Sequence, residues 1–382
     1  MFVQWLLLDR YLIEFNSQSF FFFLLPPIVF ASAYTLKKKN FVRHISYILG
    51  LGVLGTIVAM TVLTLILNYG NELYRDPVTG ESWVDPAECM LLAAVLASTD
   101  TVAVLTLITA DKYLVLNAVL FGEGVVNDAV TILLYQAVDR EIQKAEAATN
   151  HGIEDGAPGH KDITLGRKEI SGMIINFFSL SIRSIIMGAL VGLLVSYVLK
   201  VFNLNYDPIK ETTIMIMFAY LSYLFAEQTA LSGIISMFSC GLFMAHYAYW
   251  NISKKARVGT EMAVCTIANC NQSFLYIYMG LSAFSIEMEY VHMNMVYTTL
   301  IAIFVCRIFS VGVPIFLVWL STGMKPLQLK WNEWVFVYCG GLIRGAIAFG
   351  LGLQMTTDNN KVLKNTVQIC ALVTIVGVGA PI

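Results

Sequence analysis

The sequence predicts an all-α protein that crosses a membrane many times. Three observations carry that prediction. Of the 382 residues, 57% are hydrophobic and only 13% are charged, about half the charge of an ordinary soluble domain. The apolar residues arrive in long runs, giving a mean hydropathy of +0.70. The short loops between the runs alternate between strongly basic and mainly acidic. So little charge cannot cover a water-soluble surface, which excludes a soluble enzyme, a nucleic-acid binder and a disordered scaffold. The net charge of −2 decides nothing beside the positions of the charges.

A helix of about 20 apolar residues crosses a hydrocarbon core of about 30 Å. Runs of this kind, some of them short, occupy 20–34, 44–68, 87–110, 114–138, 171–201, 211–226, 229–250, 262–285, 292–320, 333–355 and 364–382. The first is short, and Pro26-Pro27 mark a candidate break within it. Asp9, Arg10 and Glu14 interrupt the segment before it, which does not read as a secretory signal. The loops on one side carry Lys37, Lys38, Lys39, Arg43, Lys254, Lys255 and Arg257. Those on the other carry Glu72, Asp76, Glu81 and Asp85. The basic side, and the C-terminus with it, is therefore expected in the cytosol. One long hydrophilic connection, 139–170, falls on the outer or lumenal side. Most of the seven cysteines lie inside apolar runs, so no disulfide framework is expected. His151 and His160 lack the spacing of a metal centre.

The topology contains a symmetry. The runs within 44–138 form a triplet, and those within 292–382 form a second triplet of opposite orientation. Inverted repeats mark secondary transporters, whose sites lie where interrupted helices meet. The middle run of each triplet carries an interruption: Ser98-Thr99-Asp100-Thr101 in the first and Gly340-Gly341 in the second.

A charge at the bilayer centre costs at least ~2.5–3.5 kcal/mol, so each needs a partner or a purpose. Six are found: Asp100, Glu123, Asp128, Arg183, Arg307 and Arg344. Glu123, Arg307 and Arg344 read as structural, in buried ion pairs that hold the bundle together. Arg183 reads as an interface residue. Asp100 suits a cap on the first helix break. Asp128 follows the neutral Asn127, and arginine pairing spent on Glu123 and Asp100 leaves it without an evident counter-charge. A carboxylate in that position can hold a proton or a small cation, and both at once are unfavourable. That competition is the chemistry of an antiporter.

Phe121-Gly-Glu-Gly-Val-Val-Asn-Asp128-Ala resembles the signature helix of the eukaryotic sodium/proton exchangers, in the monovalent cation/proton antiporter superfamily. Phe22-Phe-Leu-Leu-Pro-Pro-Ile28, Ser98-Thr-Asp100-Thr-Val-Ala-Val104 and Gly341-Leu-Ile-Arg344-Gly-Ala-Ile-Ala-Phe349 agree in order, and Arg307 sits where the family places an arginine. Some stretches are similar to the organellar branch and others to the plant vacuolar branch. The resemblance implies an inverted-repeat antiporter fold with two crossed interrupted helices, eleven spans being found here of the usual thirteen. It also implies a core transport domain over 44–138 and 292–382, and a dimerisation domain over 20–34 and 171–285. Asp128 would bind the ion and the proton, with Asn127, Thr99 and Asp100 in the same site. Glu123 would pair with Arg307, and Asp100 and Arg344 would steady the crossing. Three departures stand out: Thr101 replaces a proline, Gly124 a frequent serine, and Gln272 a common glutamate.

The expected activity is exchange of one Na⁺ or K⁺ for one H⁺, without a cofactor, by a homodimer in an organellar or plasma membrane. A cation channel and a non-transporting relative are the rival readings.

Overall fold

The computed structural model describes residues 20–36, 43–73, 84–101, 113–151, 167–202, 207–286, 290–321, 330–355 and 360–379. Among these residues the regular structure is entirely helical. Each of the eleven apolar runs carries helix, and six helices are long and apolar enough to cross a membrane.

Helix α1 (Phe20–Tyr34) opens on a widened turn, Phe20–Leu24. The break expected at Pro26-Pro27 does not occur. Prolines fall within the first turn of the regular helix from Leu25, where a missing N–H costs little. Side chains from elsewhere take the carbonyls of the widened turn. Tyr220 Oη donates to Phe22 O at 2.6 Å, and Asn271 Nδ2 donates to Leu24 O at 3.2 Å.

Helix α2 spans Ile45–Leu73. Helix α3 (Pro86–Leu96) starts at a capping box in which the Asp85 amide donates to Glu88 Oε2 at 3.1 Å. It ends at Ala97, and the chain is non-helical over 98–100. The remainder of that run, 102–110, lies outside the described residues.

Helices α4 (Leu114–His151) and α5 (Arg167–Phe202) correct the long-loop expectation: α4 continues well into 139–170, and α5 takes in the last four residues of that segment. Local pairing keeps α4 helical beyond its apolar part. Gln143 Nε2 donates to Asp139 Oδ2 at 2.8 Å, and Lys144 meets Glu141 at 2.6 Å, neighbours one turn apart on the helix surface. Residues 152–166 lie outside the described set.

The chain continues through α6 (Pro208–Gln228), α7 (Gly233–Tyr247) and α8 (Lys254–Ser282). Helix α8 begins eight residues before its apolar run, capped by Ser253 Oγ, which accepts from the Ala256 amide at 3.2 Å. Helix α9 (Met293–Ser321) precedes the second interrupted run. That run divides into α10 (Trp331–Gly340) and α11 (Ala346–Gln354), with non-helical residues 341–345 between them. Helix α12 covers Asn360–Thr374 and ends in a widened turn, Ile375–Gly379.

Helices α1, α5, α6, α7 and α8 pack mainly on one another. Helices α2, α3, α4, α9, α11 and α12 form a second set of neighbours, with α10 against α4 and α9. Burial differs sharply along the chain. The most apolar stretch of α4 is 83% enclosed by protein and that of α5 only 28%. Ile182, Ile186, Leu190 and Tyr197 leave α5 with an open apolar face, suited to hydrocarbon rather than water. Helix α4 is therefore the helix around which the interior is built.

Candidate functional site

The site is assembled where the two helix breaks cross beside α4. A helix leaves unpaired carbonyls at its C-terminal end and unpaired amides at its N-terminal end, with a partial charge at each. The Asp100 amide donates to Ile343 O at 2.8 Å, joining the breaks through main chain. Arg344 Nη1 donates to Ser98 O at 2.6 Å, placing a cation at the carbonyl end of α3. Arg307 does the same for α10, with Nη2 donating to Val337 O at 2.7 Å. The Asp100 carboxylate lies over Gly345, the residue capping the amide end of α11. Each of these charges thus meets a helix pole of opposite sign.

Two glycines are required here for space. A Cβ at Gly341 would fall on the Arg307 guanidinium, and a Cβ at Gly345 would fall on the Asp100 carboxylate.

Arg307 Nη1 also pairs with Glu123 Oε1 at 2.8 Å, both side chains being buried. Arg344 corrects the sequence reading. Among the described residues it makes no ion pair, and the Ser98 carbonyl takes the role expected of a carboxylate. Its Nη2 lies 3.9 Å from Cys306 Sγ.

Asn127 is fixed at both ends of its amide. Nδ2 donates to Thr99 Oγ1 at 2.6 Å, and Oδ1 accepts from Thr56 Oγ1 at 2.6 Å. The neighbouring residue is different. Asp128 is only partly buried. Among the described residues it has neither a hydrogen-bond nor an ion-pair partner. Asp100 is the charged group that bears on it. The crossing therefore offers one free carboxylate beside amide and hydroxyl oxygens already locked in place. Hard monovalent cations and protons are what such a donor set can hold.

A small cavity lies within the assembly, lined by Thr56, Thr99, Glu123, Asn127, Arg307 and Arg344 among others. Among the described residues, Glu123 Oε2 and Arg344 Nε on its wall have no hydrogen-bond partner. Asp128 is not part of that wall.

The structure brings Thr99, Asp100, Glu123, Asn127, Asp128, Arg307, Gly340, Gly341 and Arg344 into one region. Sequence reasoning missed Thr56, Cys306 and Tyr276, whose hydroxyl donates to Asp100 Oδ2. A threonine or tyrosine in an apolar helix carries no signal by itself. Two of the departures also meet. A Cβ at Gly124 would run into the Thr101 hydroxyl, so the hydroxyl at 101 occupies the space that a serine at 124 would need.

A family model described as "Sodium/hydrogen exchanger, transmembrane" matches residues 4–382. Sodium/hydrogen exchanger 2 of Arabidopsis thaliana is 28% identical over 385 residues, covering 96% of this chain and 66% of the relative. Human sodium/hydrogen exchanger 7 is 28% identical over 351 residues, covering 91% of this chain and 45% of the relative. The chain thus spans about two thirds or less of the length of these curated relatives. In fold it is similar to the sodium proton antiporter MjNhaP1 from Methanocaldococcus jannaschii. The TM-score is 0.67 at 15% identity, over 98% of this chain and 87% of that one. A match over nearly the whole chain, on a helical fold with crossed breaks, leads to one assignment: the chain belongs to the sodium/hydrogen exchanger family of membrane proteins.

Proposed function

We propose that this protein exchanges Na⁺ or K⁺ for H⁺ across a membrane, using Asp128 as the carboxylate that both occupants share. The observation that carries the reading is the unpartnered, partly accessible Asp128 beside a crossing whose other charges are already committed. A protonated Asp128 is neutral and has no charge to offer a cation. A deprotonated one attracts a cation, for which Asn127, Thr99 and Asp100 supply further oxygens. The two occupants therefore alternate.

One working carboxylate changes charge by one unit, so the exchange is one cation for one proton. Asn127 adds no second titrating group. In the same proposal the segments 44–138 and 292–382 carry the site and move against a frame of 20–34 and 171–285. That frame also forms the contact of a homodimer. The relatives' names support Na⁺ and H⁺ as the exchanged ions. An organellar or plasma membrane, with the C-terminus in the cytosol, completes the reading.

The test uses sealed liposomes with an acid interior and a pH-sensitive dye. Adding Na⁺ or K⁺ outside wild-type protein is expected to alkalinise the interior. Asp128→Asn, which keeps the shape and removes the charge, is expected to fall to the rate of protein-free liposomes. An Asp128→Asn variant that exchanges at the wild-type rate removes Asp128 from the mechanism.

Stoichiometry has its own measurement. A potential of 100 mV acts on each transferred net charge by about 2.3 kcal/mol. One-for-one exchange predicts a Na⁺-driven rate that does not move when such a potential is imposed, in potassium-free buffers, with a gradient of the permeant anion thiocyanate. A rate that follows the potential means that net charge crosses.

A further inference from the structure

Helix α8 touches the interrupted helices along one stripe, and that stripe is not purely apolar. Tyr276 donates its hydroxyl to Asp100 Oδ2 in the α3 break. Met279, one turn on, is buried with Phe349 of α11 and Ala371 of α12. Ser282, a further turn on, accepts from Gln368 Nε2 of α12 at 2.7 Å. Residues three apart lie on one helix face, so a single face of α8 carries two polar ties with a packed side chain between them. Gln272 lies one turn before Tyr276 on the same helix.

An O–H···O bond holds over only about 2.5–3.0 Å. The Asp100 end has little room to follow a moving partner, because its own amide is bound to Ile343 O. A shift of α8 along the breaks by more than an ångström or so therefore breaks the tyrosine bond.

We propose that Tyr276 is a positioning residue for the exchange, holding the Asp100 carboxylate to α8 in the conformation seen here and releasing it whenever the site changes sides. The idea rests on the proposed exchange and deepens it, since Tyr276 acts through Asp100 rather than by touching the ion. The Ser282–Gln368 bond is the second tie of the same contact. Leaving this conformation requires both to open, so the hydroxyl of Tyr276 slows departure from it.

The test is Tyr276→Phe, which removes one oxygen and keeps the ring. In proteoliposomes the maximal exchange rate is expected to rise about threefold to tenfold, the range that follows from losing one hydrogen bond. The cation concentration for half-maximal rate stays within about twofold, because the ion's own ligands are intact. In nanodiscs, amide hydrogen exchange is expected to quicken in 272–283 and 341–345 and to stay unchanged in α5. Tyr297→Phe, exposed on α9, serves as the control and leaves both readouts at wild-type values.

An unchanged maximal rate together with unchanged amide protection overturns the proposal. A raised half-maximal concentration at constant maximal rate also overturns it, since that is the behaviour of an ion ligand. Should phenylalanine not be tolerated, Tyr276→Met carries the same test. If wild-type protein exchanges no ions at all, the proposed function fails. The amide-exchange comparison then still decides whether Tyr276 holds α8 to the break.

Discussion

Arg307→Ala is expected to cost about 3–5 kcal/mol of stability, the range for removing one partner of a buried ion pair. Three groups lose their partner at once. Glu123 Oε1 is left as a buried charge, and its other oxygen already has no partner among the described residues. Val337 O and Tyr338 O, at the open carbonyl end of α10, lose the guanidinium that reaches both. Glu123→Gln is expected to cost less, because Arg307 then keeps the two carbonyls as acceptors. Replacing both residues with methionine removes the buried charges together, so its cost should fall below the sum of the two single changes. Thermal unfolding of purified protein in detergent, with and without each change, reads all of this. An Arg307→Ala protein within about 1 kcal/mol of wild type would show that the pair carries none of the stability assigned to it.

The second large effect is a clash. Gly124→Ser places a Cβ where the Thr101 hydroxyl already lies. Overpacking of a buried contact costs about 1–3 kcal/mol, and here the strain falls beside Asp100 and one turn from Asp128. Gly124→Ser alone is therefore expected to lower both the melting temperature and the exchange rate. Adding Thr101→Pro removes the obstructing hydroxyl and brings in the residue that the sodium/proton exchanger resemblance leads one to expect at that position. The double variant should recover most of the lost stability. If Gly124→Ser alone behaves as wild type, the two departures are independent. Recovery in the double variant means that they are one exchange of space between two helices.

Much of this was legible in the sequence, and for identifiable reasons. The helices follow from runs of apolar residues, which leave few alternatives in a bilayer. The breaks follow from Ser98-Thr99-Asp100-Thr101 and Gly340-Gly341, since polar side chains and glycine have little other business in a span. The charged residues stood out because each is expensive there. What stayed hidden was geometry between distant segments. Whether Arg344 met a carboxylate or the carbonyl of Ser98 depends on how two breaks cross. Helix α4 runs on to His151 because of Asp139–Gln143 and Glu141–Lys144 contacts that hydropathy does not weigh. Thr56 and Tyr276 look like any other residues of apolar helices until their partners, Asn127 and Asp100, are known.

The crossing itself has a consequence for how such a sequence can change over time. One tie runs from the Asp100 amide to the Ile343 carbonyl and another ends on the Ser98 carbonyl. Amides and carbonyls are present whatever the side chain, so substitutions at 98 and 343 leave those acceptors in place. Gly341 and Gly345 have no such latitude, because there the absence of a side chain is what makes the room. A joint of this kind is written largely in the polymer rather than in the alphabet. The same helical arrangement can therefore be reached from sequences that share few letters, as the archaeal antiporter with 15% identity illustrates.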